Sequence, residues 1–157
     1  MNRVEIKDAV NDTVDVVGAL DFDQRESGIA PRRLPAWTRS QVPDGMDAML
    51  RMPSGVRLRF STNSKNVGLH FLASNIAPSP KERRSINLNL ECQGELWSAS
   101  SHAGNTIVAD VKEPMGYRLI RGEPDTVWFN DLPEDDKTCE IWLPHNAFIE
   151  LRELVVD

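Results

Sequence analysis

Cys139-Glu-Ile-Trp-Leu-Pro-His-Asn-Ala-Phe-Ile-Glu-Leu-Arg-Glu-Leu-Val-Val-Asp157 decides the fold. It reads as two β-strands joined at Pro144-His145-Asn146. Cys139, Ile141 and Leu143 alternate with Glu140 and Trp142, which gives one apolar and one mostly polar face. Pro144 has no N–H to give to a ladder and Asn146 tolerates turn geometry, so the first strand stops there. No helical period appears in the stretch, and a domain that finishes on such a strand is expected to be structurally complete.

The same period of two extends back through the chain. Val14 and Val16 open a first strand, and Gly28 to Trp37, broken by two prolines, reads as an extended, irregular connection. Met46 to Met52 is predicted as a strand ending in the turn Pro53-Ser54-Gly55. Val56, Leu58 and Phe60, then Val67, Leu69 and Phe71, predict a hairpin closed by Thr62-Asn63-Ser64-Lys65. Ala77 to Arg84 reads as a solvated loop, Ile86 to Leu90 as a strand turning at Gly94-Glu95, and Ser98 to Asn105 as a loop. Further strands are predicted near Thr106–Val111, Tyr117–Ile120, Asp125–Phe129, Cys139–Leu143 and Ala147–Val156. Roughly ten short strands with any helix limited to one turn predict an all-β, antiparallel β-sandwich with jelly-roll topology. The expected organisation is a lead-in over residues 1–13 and one sandwich domain over 14–157.

Composition narrows the function. A length of 157 residues suits one core, and 40% hydrophobic content is too apolar for a disordered chain. The net charge of −6, with scattered basic residues, argues against nucleic acid and anionic membrane surfaces. No apolar run approaches the roughly 18 residues of a membrane span, and the charged start Met1 to Asp8 lacks a signal-peptide core, so a cytoplasmic location is expected. Cys92 and Cys139 are expected to be buried thiols acting as small hydrophobes.

Catalytic patterns are missing from the chain. There is no Gly-x-Ser-x-Gly elbow and no Gly-Asp-Ser, and none of His70, His102 and His145 has an acidic residue three positions earlier. The histidines lack metal-ligand spacing, the cysteines form no Cys-x-x-Cys pair, and no glycine-rich loop cradles a phosphate. No catalytic residue, metal or cofactor is therefore expected, and the chain alone is not expected to be an enzyme. The tryptophans offer more. If Val127 opposes Leu143 and Phe129 opposes Ile141 in a hairpin, Trp128 and Trp142 become neighbours on one surface. That patch would suit a sugar face or another domain, and the alternative is that both faces of the hairpin are buried.

Gly18-Ala-Leu20, Pro31-Arg-Arg-Leu-Pro-Ala-Trp37, Met52-Pro-Ser-Gly-Val-Arg-Leu-Arg-Phe60 and Glu140-Ile-Trp-Leu-Pro-His-Asn146 carry a family resemblance. Together they resemble the N-terminal β-sandwich domain that precedes the catalytic domain in a group of bacterial SGNH/GDSL-type hydrolases. The resemblance runs from about Val14 to Asp157 and implies a jelly roll similar to carbohydrate-binding modules. It implies a non-catalytic accessory domain that packs in cis on a C-terminal SGNH hydrolase domain and contributes to binding a carbohydrate or acyl substrate. It places Trp37, His145 and Asn146 at the neighbouring domain or its substrate pocket, the alternative being that Trp37 plugs the sandwich and Asn146 makes the turn. Trp128 departs from the family pattern, where a polar residue is more usual. The competing expectations are an independent carbohydrate-binding module, for which 6% aromatic content is thin, and an interaction module that forms a homodimer.

Overall fold

A computed structural model describes all 157 residues. Thirteen strands form two layers. The larger sheet has eight strands: β1 (Asn2–Glu5), β3 (Asp21–Gln24), β4 (Ile29–Arg32), β6 (Val67–Ile76), β9 (Asn105–Ala109), β10 (Tyr117–Ile120), β11 (Asp125–Phe129) and β13 (Phe148–Val156). Its order is β10-β9-β6-β13-β4-β3, with β1 on β13 and β11 on β6. The smaller sheet comprises β2 (Val14–Val17), β5 (Arg57–Thr62), β12 (Lys137–Trp142), β7 (Ile86–Cys92) and β8 (Glu95–Ser101), in that spatial order. Pairing is antiparallel except between β6 and β9. The chain is an all-β sandwich.

The alternating apolar residues meet between the layers, as their period dictates. Leu58 and Phe60, Leu69 and Phe71, Leu88 and Leu90, and Ile141 and Cys139 all belong to one buried cluster of 26 residues. Residues 1–13 also take part. β1 pairs with β13, and the short helix α1 (Ile6–Ala9) drives Ile6 fully into the core.

Four expectations need correction. The first concerns the hairpin of Val56–Phe60 with Val67–Phe71. β5 pairs with β2 and β12 in the smaller sheet, whereas β6 pairs with β13, β11 and β9 in the larger one. The connection between them crosses the layers and is tied down by buried Lys137, whose Nζ donates to the Ser64 carbonyl at 2.8 Å. Alternation dictates which face is buried but not which strand lies alongside, so the faces were read correctly and the partner was not.

The second concerns residues 46–52, which belong to helix α2 (Asp44–Arg51). Pro43 starts it, Asp44 and Asp47 occupy its first turn, and Arg51 closes its last. Those charges complement the helix dipole, and Arg51 Nη2 meets Asp47 Oδ2 at 2.9 Å in an i,i+4 pair. Third, Ser98–Ser101 continue strand β8 rather than forming a loop. The β7–β8 hairpin turns at Gln93 and Gly94, both with positive φ as a type I′ turn demands, and its pairing runs to Ile86↔Ser101. Finally, the connection over residues 28–37 contains β4 before a 3₁₀ turn at Ala36–Gln41.

Candidate functional site

A cap formed by residues 33–52 packs against β4 and β3 at one edge of the larger sheet. Its anchor is Arg32, which is 1% exposed at the end of β4. Arg32 Nη2 donates to Asp47 Oδ1 at 2.7 Å, and its Nη1 lies 3.6 Å from Asp23 Oδ2. The Arg32 hydrogen bond holds the Asp47 carboxyl below its ordinary value, with nearby Arg51 and Arg39 adding to the effect against the opposing push of burial. Arg33 binds the carbonyl of Met49 through its side chain and that of Leu50 through its N–H. Asp21 accepts the N–H groups of Ala36 and Phe22, which keeps its carboxyl low and pins the turn that carries Trp37. The scaffold is rigid and polar within, yet it presents Leu20, Trp37, Met46 and Met49 to solvent, with Trp37 68% exposed. Trp37 does not plug the sandwich.

A second surface covers the outer face of the smaller sheet. The registers place Val17, Arg57, Trp142, Asn89 and Ser98 in one row across β2, β5, β12, β7 and β8. The Arg57 guanidinium carbon lies 4.7 Å from the centroid of the half-buried Trp142 ring, a cation–π contact that orients the indole. Glu140 receives Arg59 Nε at 2.7 Å and lies 3.0 Å from Arg57 Nε. Partial burial alone would raise the Glu140 carboxyl, but those two arginines outweigh it and hold it low. Beside the indole's row runs a shallow groove of about 370 Å³ lined by Asn87, Asn89, Ser98, Ala99 and Ser100.

The predicted pairing of Trp128 with Trp142 does not occur. Trp128 sits on β11 opposite Gly68 of β6 in the larger sheet, while Trp142 sits on β12 between β5 and β7 in the smaller one. The two indoles face away from the core on opposite layers. Both strands alternate correctly, but residues 130–136 cross between sheets instead of closing a hairpin. His145 is exposed in the loop between β12 and β13, and Asn146 is half-buried and donates Nδ2 to the Ser85 carbonyl at 3.3 Å. Of the five candidate residues, Trp142, His145 and Asn146 share one strand end, Trp37 stands on the cap, and Trp128 stands apart.

Serine, aspartate and histidine do converge once. Ser101 Oγ donates to the Asp125 carboxylate, while His70 Nδ1 contacts the Asp125 carbonyl at 3.1 Å and Thr126 Oγ1 at 3.0 Å. The order is wrong for a triad, because no imidazole is hydrogen-bonded to the serine to take its proton. No group of three or more His, Cys, Asp or Glu side chains is placed to hold a metal ion. No helix is long and apolar enough to cross a membrane. Sequence reasoning missed Met46, Met49 and Leu20 on the cap and the Asn87, Asn89, Ser98, Ser100 groove. The alternation of Asn87 and Asn89 with buried leucines, facing a serine-rich strand, was the available signal for the groove.

These features define a two-sheet, all-β sandwich with an ion-paired cap on the β4–β3 edge and an amide-lined outer face. The chain belongs to the SsfX3 N-terminal domain family, whose model matches residues 14–152. Among solved structures it is similar to the salicylyl-acyltransferase SsfX3 from a tetracycline biosynthetic pathway, with a TM-score of 0.75 and 23% identity over 99% of this chain and 39% of that one. It is also similar to a GDSL-like lipase from Bacteroides ovatus, with a TM-score of 0.58 and 12% identity over 99% of this chain and 40% of the lipase. An acetyl xylan esterase from Butyrivibrio proteoclasticus gives a TM-score of 0.53 and 8% identity over 100% of this chain and 32% of the esterase. The chain thus spans two fifths or less of each of these proteins. No curated protein sequence matches it.

Proposed function

We propose that this chain is the non-catalytic accessory domain of an SGNH/GDSL-type hydrolase, that it seats the catalytic domain on its cap, and that it contributes to binding a carbohydrate or acyl substrate. The observation that carries this reading is Trp37, 68% exposed on a turn pinned by the Ala36 N–H to Asp21 hydrogen bond. Family membership and the length of the relatives support a hydrolase parent. The test is to read the coding region beyond Asp157 and titrate the hydrolase domain it encodes against this chain by calorimetry. A complex that Trp37→Ala weakens at least tenfold is expected. A reading frame without Gly-Asp-Ser, or equal binding by the Trp37→Ala chain, would overturn the reading.

A homodimer has one observation in its favour. β10 is the free edge of the larger sheet, and the β9–β10 arm with its connecting turn exposes Val111, Met115, Tyr117 and Leu119, beside Ile76 at the end of β6. Free edges with apolar neighbours invite strand pairing. Sedimentation equilibrium reads the outcome directly: a dimer abolished by Leu119→Lys supports it, and a monomer at high concentration rejects it.

A further inference from the structure

We propose that the outer face of the smaller sheet binds a neutral oligosaccharide, with Trp142 as its stacking platform and the Asn87, Asn89, Ser98, Ser100 groove as its hydroxyl-reading subsite. This rests on the substrate-binding half of the reading above and is independent of docking at the cap.

The row Arg57, Trp142, Asn89, Ser98 crosses three strand gaps, about 14 Å at the usual spacing. That is the length of a short oligosaccharide laid across the strands. A pyranose offers an apolar C–H face and a rim of hydroxyls that both donate and accept. The indole supplies the matching apolar surface, and Arg57 at 4.7 Å limits its reorientation when a sugar arrives. Amides and hydroxyls supply the matching rim. Ser98 Oγ donates to Asn89 Oδ1 at 2.7 Å, which orients the Asn89 amide and leaves its NH₂ to a ligand. Asn87 is exposed one register step along, opposite Ser100.

Charge selects the ligand class. On the same face Arg57 and Arg59 share Glu140, and exposed Glu91 stands two residues from Asn89, but the groove itself is lined only by amides, hydroxyls and Ala99. An uncharged lining matches a neutral ligand. The strands that carry the row are central in the sheet or paired along their length, so the side chains stand on a rigid platform.

The test is affinity electrophoresis of the full chain through gels containing xylan, glucomannan, mixed-linkage β-glucan or arabinogalactan, followed by calorimetry with oligosaccharides of any polymer that retards it. Retardation by at least one neutral polymer is expected, with affinity reduced at least tenfold in Trp142→Ala and in the double variant Asn87→Ala/Asn89→Ala. If Trp142→Ala does not fold, the double variant decides, since its positions face solvent on an intact sheet. No retardation in any of the four gels, or unchanged binding by the double variant, would overturn the proposal. Trp37→Ala separates the two readings: it should lose the hydrolase domain and keep the sugar.

Discussion

The indole of Trp128 lies over Gly68, with three ring atoms 3.0 to 3.1 Å from where a β-carbon on that glycine would sit. The two residues are direct partners across β11 and β6, and Val155, the partner of Gly68 on β13, is 1% exposed on the same outward side. The glycine is a notch that lets an aromatic ring lie flat over the sheet and cover its neighbours. Trp128 is therefore packed against its own layer rather than offered as a platform.

A double-mutant cycle at this pair should show strong coupling. Gly68→Ala puts a methyl into the indole and should cost about 1–3 kcal/mol by overpacking. In a Trp128→Ala background the same change should be neutral or stabilising, because alanine suits a strand better than glycine. Denaturant unfolding of the four proteins gives the coupling energy, and additive effects would mean the ring does not rest on the glycine.

Asp47 should be the most sensitive polar residue of the cap. Asp47→Asn leaves buried Arg32 with only the more distant Asp23, 3.6 Å away, so the cost should approach the lower end of the roughly 3–5 kcal/mol lost when a buried pair is broken. The folded-state value of Asp47 lies below its unfolded one, so the stabilisation is fully present above the ordinary carboxylate range near 4 and disappears as pH falls below it. Melting temperatures between pH 7 and pH 2.5 should therefore fall less steeply for the Asn variant than for the parent. Parallel curves would remove Asp47 from the acid transition.

How much of this was legible in the sequence depends on the kind of information each element uses. The strand ends at Pro144 and the buried sets Leu58/Phe60 and Leu88/Leu90 follow from local chemistry and a period of two, and both were read correctly. The partners of β5, β11 and β12 depend on which turns cross between layers, and the four polar residues after Thr62 look the same whether they close a hairpin or span the sandwich. Helix α2 was missed because Met46, Ala48, Leu50 and Met52 alternate as a strand would, which masked the i, i+3, i+4 spacing of Met46, Met49 and Leu50, and the helix is confirmed by tertiary contacts of Asp47 with Arg32 and Arg51. Trp37 and Trp142 were visible as candidates by residue type. The surroundings that make them useful, an ion-pair scaffold and an amide-lined groove, exist only once distant strands are neighbours.

The isolated chain should not turn over short-chain nitrophenyl esters. Ser101 donates to a carboxylate and is 2% exposed, so it has neither an imidazole bonded to its hydroxyl nor access to substrate. Turnover that survives repurification and disappears in Ser101→Ala would contradict this directly.

Cys92 and Cys139 are direct partners on β7 and β12, both buried and both free thiols. Burial, reinforced by the neighbouring Cys92, pushes the Cys139 thiol up to about 12. Cys139 stays protonated and Cys92 is 1% exposed and out of a reagent's reach, so an aromatic disulfide reagent should label neither cysteine in the native state at pH 8 and both after unfolding. The same shift carries a stability consequence of definite sign. The folded state keeps its proton through a range in which an unfolded cysteine, with its value near 8.5, releases one. The stabilisation is therefore intact below about pH 8.5 and declines as pH rises from there towards 12. Cys139→Val keeps an apolar side chain of similar size at the site and removes the titration, so its melting temperature should decline less between pH 8 and pH 10.5 than that of the parent. Rapid labelling of the native chain, or identical alkaline profiles for the two proteins, would show that solvent reaches the pair and that the core is open between β7 and β12.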